Sequence, residues 1–258
     1  MLTQANIDSL RYIIAYELDS RNEVPADFGP RDGLPEFAAG LFLPRAEPDW
    51  FGRSAYPPRV LALVSGGLAI VSHPAAKDAG QTLAFESICF VESGSMLLHG
   101  WLRFVGAGFD RTLFYNRRSA VAVDAFLRRL RSALLGDFYP AEPSVALGDA
   151  LDLKFRHAVA HEVDSGEPIC ASLFRAAVQV ASRPLGFKRI RTVPADLIAL
   201  TNRQMLWITD RSRWGYARYG SIARYAPLSR IAGLARAENG EGTSRSPSIR
   251  KKSGGAFR

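Results

Sequence analysis

Apolar residues along this chain come mostly in short runs closed by Gly, Pro, Asn or Asp, and only occasionally at helical spacing. Such bounded runs mark strands, and the residues between them say how the strands connect. The clearest case is Ala195–Asp210 (ADLIALTNRQMLWITD): an apolar run to Leu200, a polar turn at Asn202 and Arg203, then Met205–Ile208. Arg59–His73 (RVLALVSGGLAIVSH) has the same layout, with Gly66-Gly67 as its turn. Gly suits both positions of the favoured hairpin turns, where φ is positive, and Asn tolerates that region. Phe37–Leu43, Thr82–Val91, Met96–Val105, Arg111–Tyr115, Ile169–Ala181, Trp214–Tyr225 and Ala226–Ala235 read as further strands.

Helical spacing marks three segments. Thr3–Asp19 repeats Ile7, Leu10, Ile14 and Leu18 at three and four residues. Ser119 caps a second helix whose stripe is Val123, Phe126, Leu127, Leu130 and Leu134. Arg128, Arg129 and Arg131 fall outside that stripe, and Gly136 stops the helix. Asp149 caps a third, with Leu151, Phe155, Val159 and Val163 on one face.

Two segments match each other. Ala15–Ser20 (AYELDS) returns as Ala160–Ser165 (AHEVDS) at an offset of 145, and the two hairpins align at an offset of 137. We therefore expect an internal duplication, against which stands chance similarity between two α+β modules. The first copy spans 1–136 with a leading and a closing helix, and 137–148 is a linker. The second copy spans 149–237 and lacks a closing helix. The tail, 238–258, is Gly/Ser-rich and basic, and is expected to be disordered. Without its helix, the second copy exposes an apolar face for the first copy, or another chain, to cover. A homo-oligomer through that uncovered second sheet is one consequence.

LIALTNRQMLWITD at 197–210 followed by APLSRIAGL at 226–234 resembles bacterial pleckstrin-homology-like domains of the GRAM and short bacterial type. VLALVSGGLAIVSH at 60–73 with LAFESICFV at 83–91 is a weaker version. The resemblance implies an α+β fold, mainly antiparallel β. It would hold two bent sheets or barrels with packing helices, the second truncated. It also implies a non-enzymatic role, docking on lipid head groups or peptides.

An apolar content of 47% and a charged content of 22% are ordinary for a globular chain. Cys89 and Cys170 are too few for a disulfide framework. Met1–Asp8 carries no basic-then-apolar leader, and no apolar run reaches the ~20 residues of a membrane span. A cytoplasmic protein is expected, with a peripheral place at the inner face of the membrane. The net charge of +8 is one-sided: residues 1–182 sum to −4, whereas 183–236 sum to +9. Such a field favours an anionic partner.

The sharpest binding candidate is the loop Ser182–Ala195, with Lys188, Arg189 and Arg191. Residues two apart on an extended segment point the same way, and guanidinium forks match phosphate oxygens. The resemblance points to the same loop, since eukaryotic relatives often meet inositol phosphates between their first two strands. Arg203, Arg211 and Arg213 extend the set, although a cluster of this size also suits a plain solvated surface. Arg residues interleave with Trp207, Trp214, Tyr216, Tyr219 and Tyr225, a pattern that suits single-stranded nucleic acid or a core-in, solvent-out strand. His157 and His161 have a spacing that can share a metal. They lie opposite the Phe155 stripe, however, and lack the zincin glutamate. Glu162 and Asp164 suit an exposed helix end. No Gly-rich phosphate loop precedes a helix, and no nucleophile elbow is present. The expectation is a binding module with no catalytic residues, metal or cofactor. It would dock on an anionic phospholipid surface or a protein partner, with nucleic acid as the alternative.

Overall fold

The computed structural model describes residues 13–30, 34–45, 56–74, 80–96, 98–136, 147, 151–163, 167–182, 189–210 and 220–231. Over these residues the chain is α+β and mainly antiparallel. One sheet holds β1 (Tyr16–Leu18), β2 (Ala39–Leu43), β3 (Arg59–Val64), β4 (Gly67–Ser72) and β5 (Gln81–Ala84), side by side in chain order. Then come β6 (Ile88–Met96), β7 (His99–Gly106), β8 (Phe109–Asn116), helix α1 (Ala120–Leu135) and helix α2 (Leu153–Glu162). The last third holds β9 (Ile169–Arg175), β10 (Val178–Ser182), β11 (Arg189–Val193), β12 (Asp196–Thr201), β13 (Gln204–Thr209) and β14 (Gly220–Pro227). A seven-stranded sheet runs β8-β7-β6-β14-β13-β12-β9, and β10 with β11 forms a two-stranded sheet of its own.

One core joins these layers. It unites Leu41 and Leu61 of the first sheet, Phe104, Leu206 and Tyr225 of the second, Phe126 of α1 and Phe155 of α2. A second cluster around Leu18, Phe28, Phe42 and Val60 covers the other face of the five-stranded sheet. Because both faces are covered, β2 and β3 read as continuous apolar runs rather than alternating ones.

The two expected hairpins form, and the strands around them keep one register. Leu63 faces Leu68 across β3–β4, and Leu200 faces Met205 across β12–β13. Each unit gains a third strand on the same side, β5 or β14, followed by a 3-10 turn, Phe85–Ser87 or Leu228–Arg230. The first amide of each 3-10 turn donates to the hairpin turn, Phe85 to the Gly66 carbonyl at 2.9 Å and Leu228 to that of Arg203 at 2.8 Å. On the far side β2 and β9 match as well, with Ala39 opposite Leu63 and Ala171 opposite Leu200. The two turns differ in chemistry. Val64 pairs with Gly67, so the first turn is Ser65-Gly66, and only Gly66 needs a positive φ, +74°. In the second, the Thr201 hydroxyl accepts from the Arg203 and Gln204 amides, and the Gln204 side chain donates to buried Glu167.

Several expectations are corrected. The helix expected over Thr3–Asp19 gives way at Tyr16–Leu18 to β1, with residues 1–12 outside the described set. Pairing with β2, burial of Leu18 and the Tyr16–Phe42 ring contact at 5.0 Å outweigh local periodicity. AYELDS and AHEVDS therefore differ in conformation, since Ala160–Glu162 closes α2. The Thr82–Val91 strand is broken by the Phe85–Ser87 turn, which carries the chain from one sheet to the other. The Ile169–Ala181 strand divides into β9 and β10, and part of the expected basic loop is strand β11. The 3-10 turn Leu228–Arg230 stands where a strand over Ala226–Ala235 was expected. Among the described residues, neither the five-stranded nor the seven-stranded sheet closes into a barrel. The tail, and the linker apart from Leu147, lie outside the described residues. Among the described residues, no helix is long and apolar enough to cross a membrane.

Candidate functional site

The basic segment is built as a limb. The β9–β12 register ends with Arg175 opposite Asp196, and the same register resumes with Val178 opposite Val193. β10 and β11 thus continue the β9–β12 pair beyond the seven-stranded sheet, as a ribbon whose strands pair with each other. Pro194, which has no amide hydrogen, sits at the joint. Residues 178–193 contain Arg183, Lys188, Arg189 and Arg191 and no acidic residue. Arg189 and Arg191 lie two apart on β11, opposite Ser182 and Val180. Lys188, Arg211 and Arg213 lie outside the described residues.

The base of the limb is bare. β9 is the edge of its sheet, and every residue from Cys170 to Gln179 is exposed. Leu173 is 68%, Val178 49% and Phe174 36% exposed, although the Phe174 ring still meets Phe155 of α2 at 5.2 Å. Edge strands usually carry charge, a bulge or a cover that discourages pairing. From Ile169 to Phe174, β9 carries no charge. Arg203 is placed differently. Its Nη2 donates to the Gly136 carbonyl, tying the β12–β13 turn to the C-terminal end of α1, where a cation is favoured.

A second place with binding chemistry is a cleft of about 570 Å³ where α1 and α2 stand off the sheet. Small residues make the room: Ser93, Gly94 and Ser95 of β6, Ser221 and Ala223 of β14, and Ala158 and Ala160 of α2. Gly94 lies between the two serines, and its missing Cβ makes room on the opposite face, where a Cβ would lie 2.1 Å from the Trp101 ring. Tyr115, Arg117, Asp124, His157, His161 and Glu162 supply the polar wall.

Three ion pairs close the back of this cleft, and two of them, Arg131–Glu162 and His161–Asp124, hold α2 against α1. Arg131 donates to Glu162 at 2.5 Å, and His161 lies 3.4 Å from Glu162 and 3.5 Å from Asp124. Arg131, expected outside the apolar stripe, is 2% exposed. Its guanidinium lies 4.8 Å over the Tyr225 ring and meets a carboxylate from another helix. Glu162, expected at an exposed helix end, is drawn inward by the same pair. Burial pushes Glu162 upward, but the His161 hydrogen bond and the Arg131 charge hold it below its ordinary range. The hydrogen bond to Glu162 raises His161. Burial raises Asp124 and pushes the Tyr115 hydroxyl up to about 12. Arg117 and His157 are exposed; the Arg117 amide donates to the Leu98 carbonyl at 2.8 Å, and neither side chain makes a hydrogen bond or ion pair among the described residues.

The His157/His161 spacing was legible in sequence, but the partners gathered around it were not. Only the run Ser93-Gly94-Ser95 inside an apolar strand hinted at missing volume. Among the described residues, no group of three or more His, Cys, Asp or Glu gathers to hold a metal. Comparison with protein-family models, curated proteins and solved structures gave no match.

Proposed function

We propose that this chain is a non-enzymatic binding module of the pleckstrin-homology-like kind, written in two divergent copies. It docks peripherally on an anionic phospholipid surface through the β10–β11 ribbon and the bare edge of β9. The observation that carries this reading is a ribbon with Arg189 and Arg191 on β11, in a stretch of sequence without an acid, beside exposed Leu173, Phe174 and Val178. Apolar side chains enter the boundary between head groups and acyl chains. Each basic residue near an anionic leaflet adds about 1 kcal/mol. The sum describes reversible, salt-sensitive association. The shared register of the two meanders and the matching hydrogen bonds at Phe85 and Leu228 support the two-copy reading. Both ring nitrogens of His161 face carboxylates rather than a hydroxyl, which favours binding over nucleophilic chemistry.

Nucleic acid is the second reading, because a two-stranded basic ribbon fits a major groove. The bare apolar residues at the ribbon's base favour lipid. The test is sedimentation with phosphatidylcholine vesicles, with and without phosphatidylserine, at two salt concentrations, beside a DNA shift assay. Wild-type protein should pellet with the anionic vesicles at low salt. The triple substitution Lys188→Ala, Arg189→Ala, Arg191→Ala should release it. Unchanged pelleting of that variant, or a DNA shift without vesicle binding, would overturn the membrane reading.

A further inference from the structure

The α1–α2 cleft lies on the core face of the sheet and is built from different residues than the limb. Its charges do not cancel. Glu162 is satisfied by Arg131 and His161, and His161 also meets Asp124. The Arg117 and His157 side chains remain exposed at the rim without a hydrogen bond or close ion pair among the described residues, the Arg117 charge reaching Asp124 and Tyr115 only through space. Behind them Arg131 is buried, and its Nε and Nη1 have no hydrogen-bond partner. The acids are thus consumed within the protein, and the cations that remain face the opening.

The walls add hydrogen bonding without bulk. Ser93, Ser95 and Ser221 offer hydroxyls, and Tyr115 offers a phenol that burial keeps protonated. A guanidinium, an imidazole and several hydroxyls around a concave space suit a group with many acceptor oxygens and net negative charge. The volume lies within the range of small-molecule sites. It exceeds what a bare phosphate ion would fill, so the ligand carries an organic part that rests on Ala158, Ala160 and Ala223.

We infer that this cleft is a binding site for a small organic phosphate. Arg117 and His157 meet the phosphoryl oxygens, and the serine hydroxyls complete their coordination. The chemistry is shared by soluble phosphomonoesters and by a phosphatidic acid head group, so the test needs both.

Calorimetric titration of the full chain with glycerol 3-phosphate should show saturable binding that equimolar sodium chloride does not compete away. Arg117→Ala should weaken it about tenfold, the loss of one charge-assisted interaction. Ala160→Leu, at an exposed helical position, should fill the cleft and abolish binding without removing any polar group. It keeps the test valid if the arginine variant folds poorly. Vesicles containing phosphatidic acid distinguish the sources. Because the limb is expected to hold any anionic vesicle, the comparison is with phosphatidylserine vesicles of equal charge. Extra affinity for phosphatidic acid that Ala160→Leu removes assigns a head group, and equal affinity for the two lipids assigns a soluble phosphate. No heat with wild-type protein, or wild-type affinity in both variants, would overturn the inference.

Discussion

The meanders β2–β5 and β9–β12–β13–β14 share a register and end on the same pinned 3-10 turn, yet their outer edges have opposite fates. β2 is covered by β1, with Tyr16 opposite Phe42 and Leu18 opposite Gly40, and a second apolar cluster seals its outer face. β9 has no described strand beside it and continues into a basic ribbon. The hexapeptides explain the difference. AYELDS supplies the covering strand in the first case, whereas AHEVDS ends helix α2 in the second. Similar local sequence is used once to close an edge and once to leave it open. The choice is made by distant partners: Phe42 in one place, Arg131 in the other.

The largest effect should come from breaking what holds Ala160–Glu162 in helix α2. Arg131→Ala leaves Glu162 buried without its countercharge and should cost about 3–5 kcal/mol in urea unfolding. A loss under ~1 kcal/mol would mean the pair does not position α2. Next come Leu61 and Ile198, which occupy matching register positions opposite Ile70 and Trp207. Leu61 is fully buried, so Leu61→Ala should cost about 2–5 kcal/mol. Ile198 is only partly buried, and Ile198→Ala should cost clearly less. Equal costs would erase the distinction between the two meanders.

A smaller effect should follow pH. His161 is raised above 6.5, so its stabilising contribution is complete below that value and fades as pH climbs through the folded value. Glu162 is lowered below 4.5, so its contribution is present above 4.5 and is lost as pH falls through its folded value. Asp124, Glu162 and Arg131 all face His161 and set this balance. Subtracting the melting curve of His161→Asn from that of wild type should therefore give a gap that narrows on the alkaline side. A gap independent of pH would remove the ion pairs from the account. The smallest effect on stability is expected at Leu173, which is 68% exposed. Leu173→Ser should change unfolding by no more than about 0.5 kcal/mol while reducing vesicle pelleting.

What was legible in the sequence follows from how far each feature reaches along the chain. The hairpins were readable because Gly66 and Asn202-Arg203 sit between apolar runs. Helix α1 was readable because Val123, Phe126, Leu127 and Leu130 repeat at its own period. β1 was not, because what makes it a strand is Phe42, well beyond any local window. Arg131 looked solvent-facing because its partner, Glu162, belongs to another helix. The cleft left almost no trace, since small residues on three separate elements create it and none is unusual alone. Of the basic set, the segment was visible but its shape was not. The strand Arg189–Val193 resembles a loop until β10 is laid beside it.

Hydrogen exchange of the full chain, with and without phosphatidylserine vesicles at low salt, compares the two edges directly. The account predicts slowed exchange across Ile169–Val193 and unchanged exchange across Ala39–Val64. Protection of the first meander instead, or none in either, would contradict it.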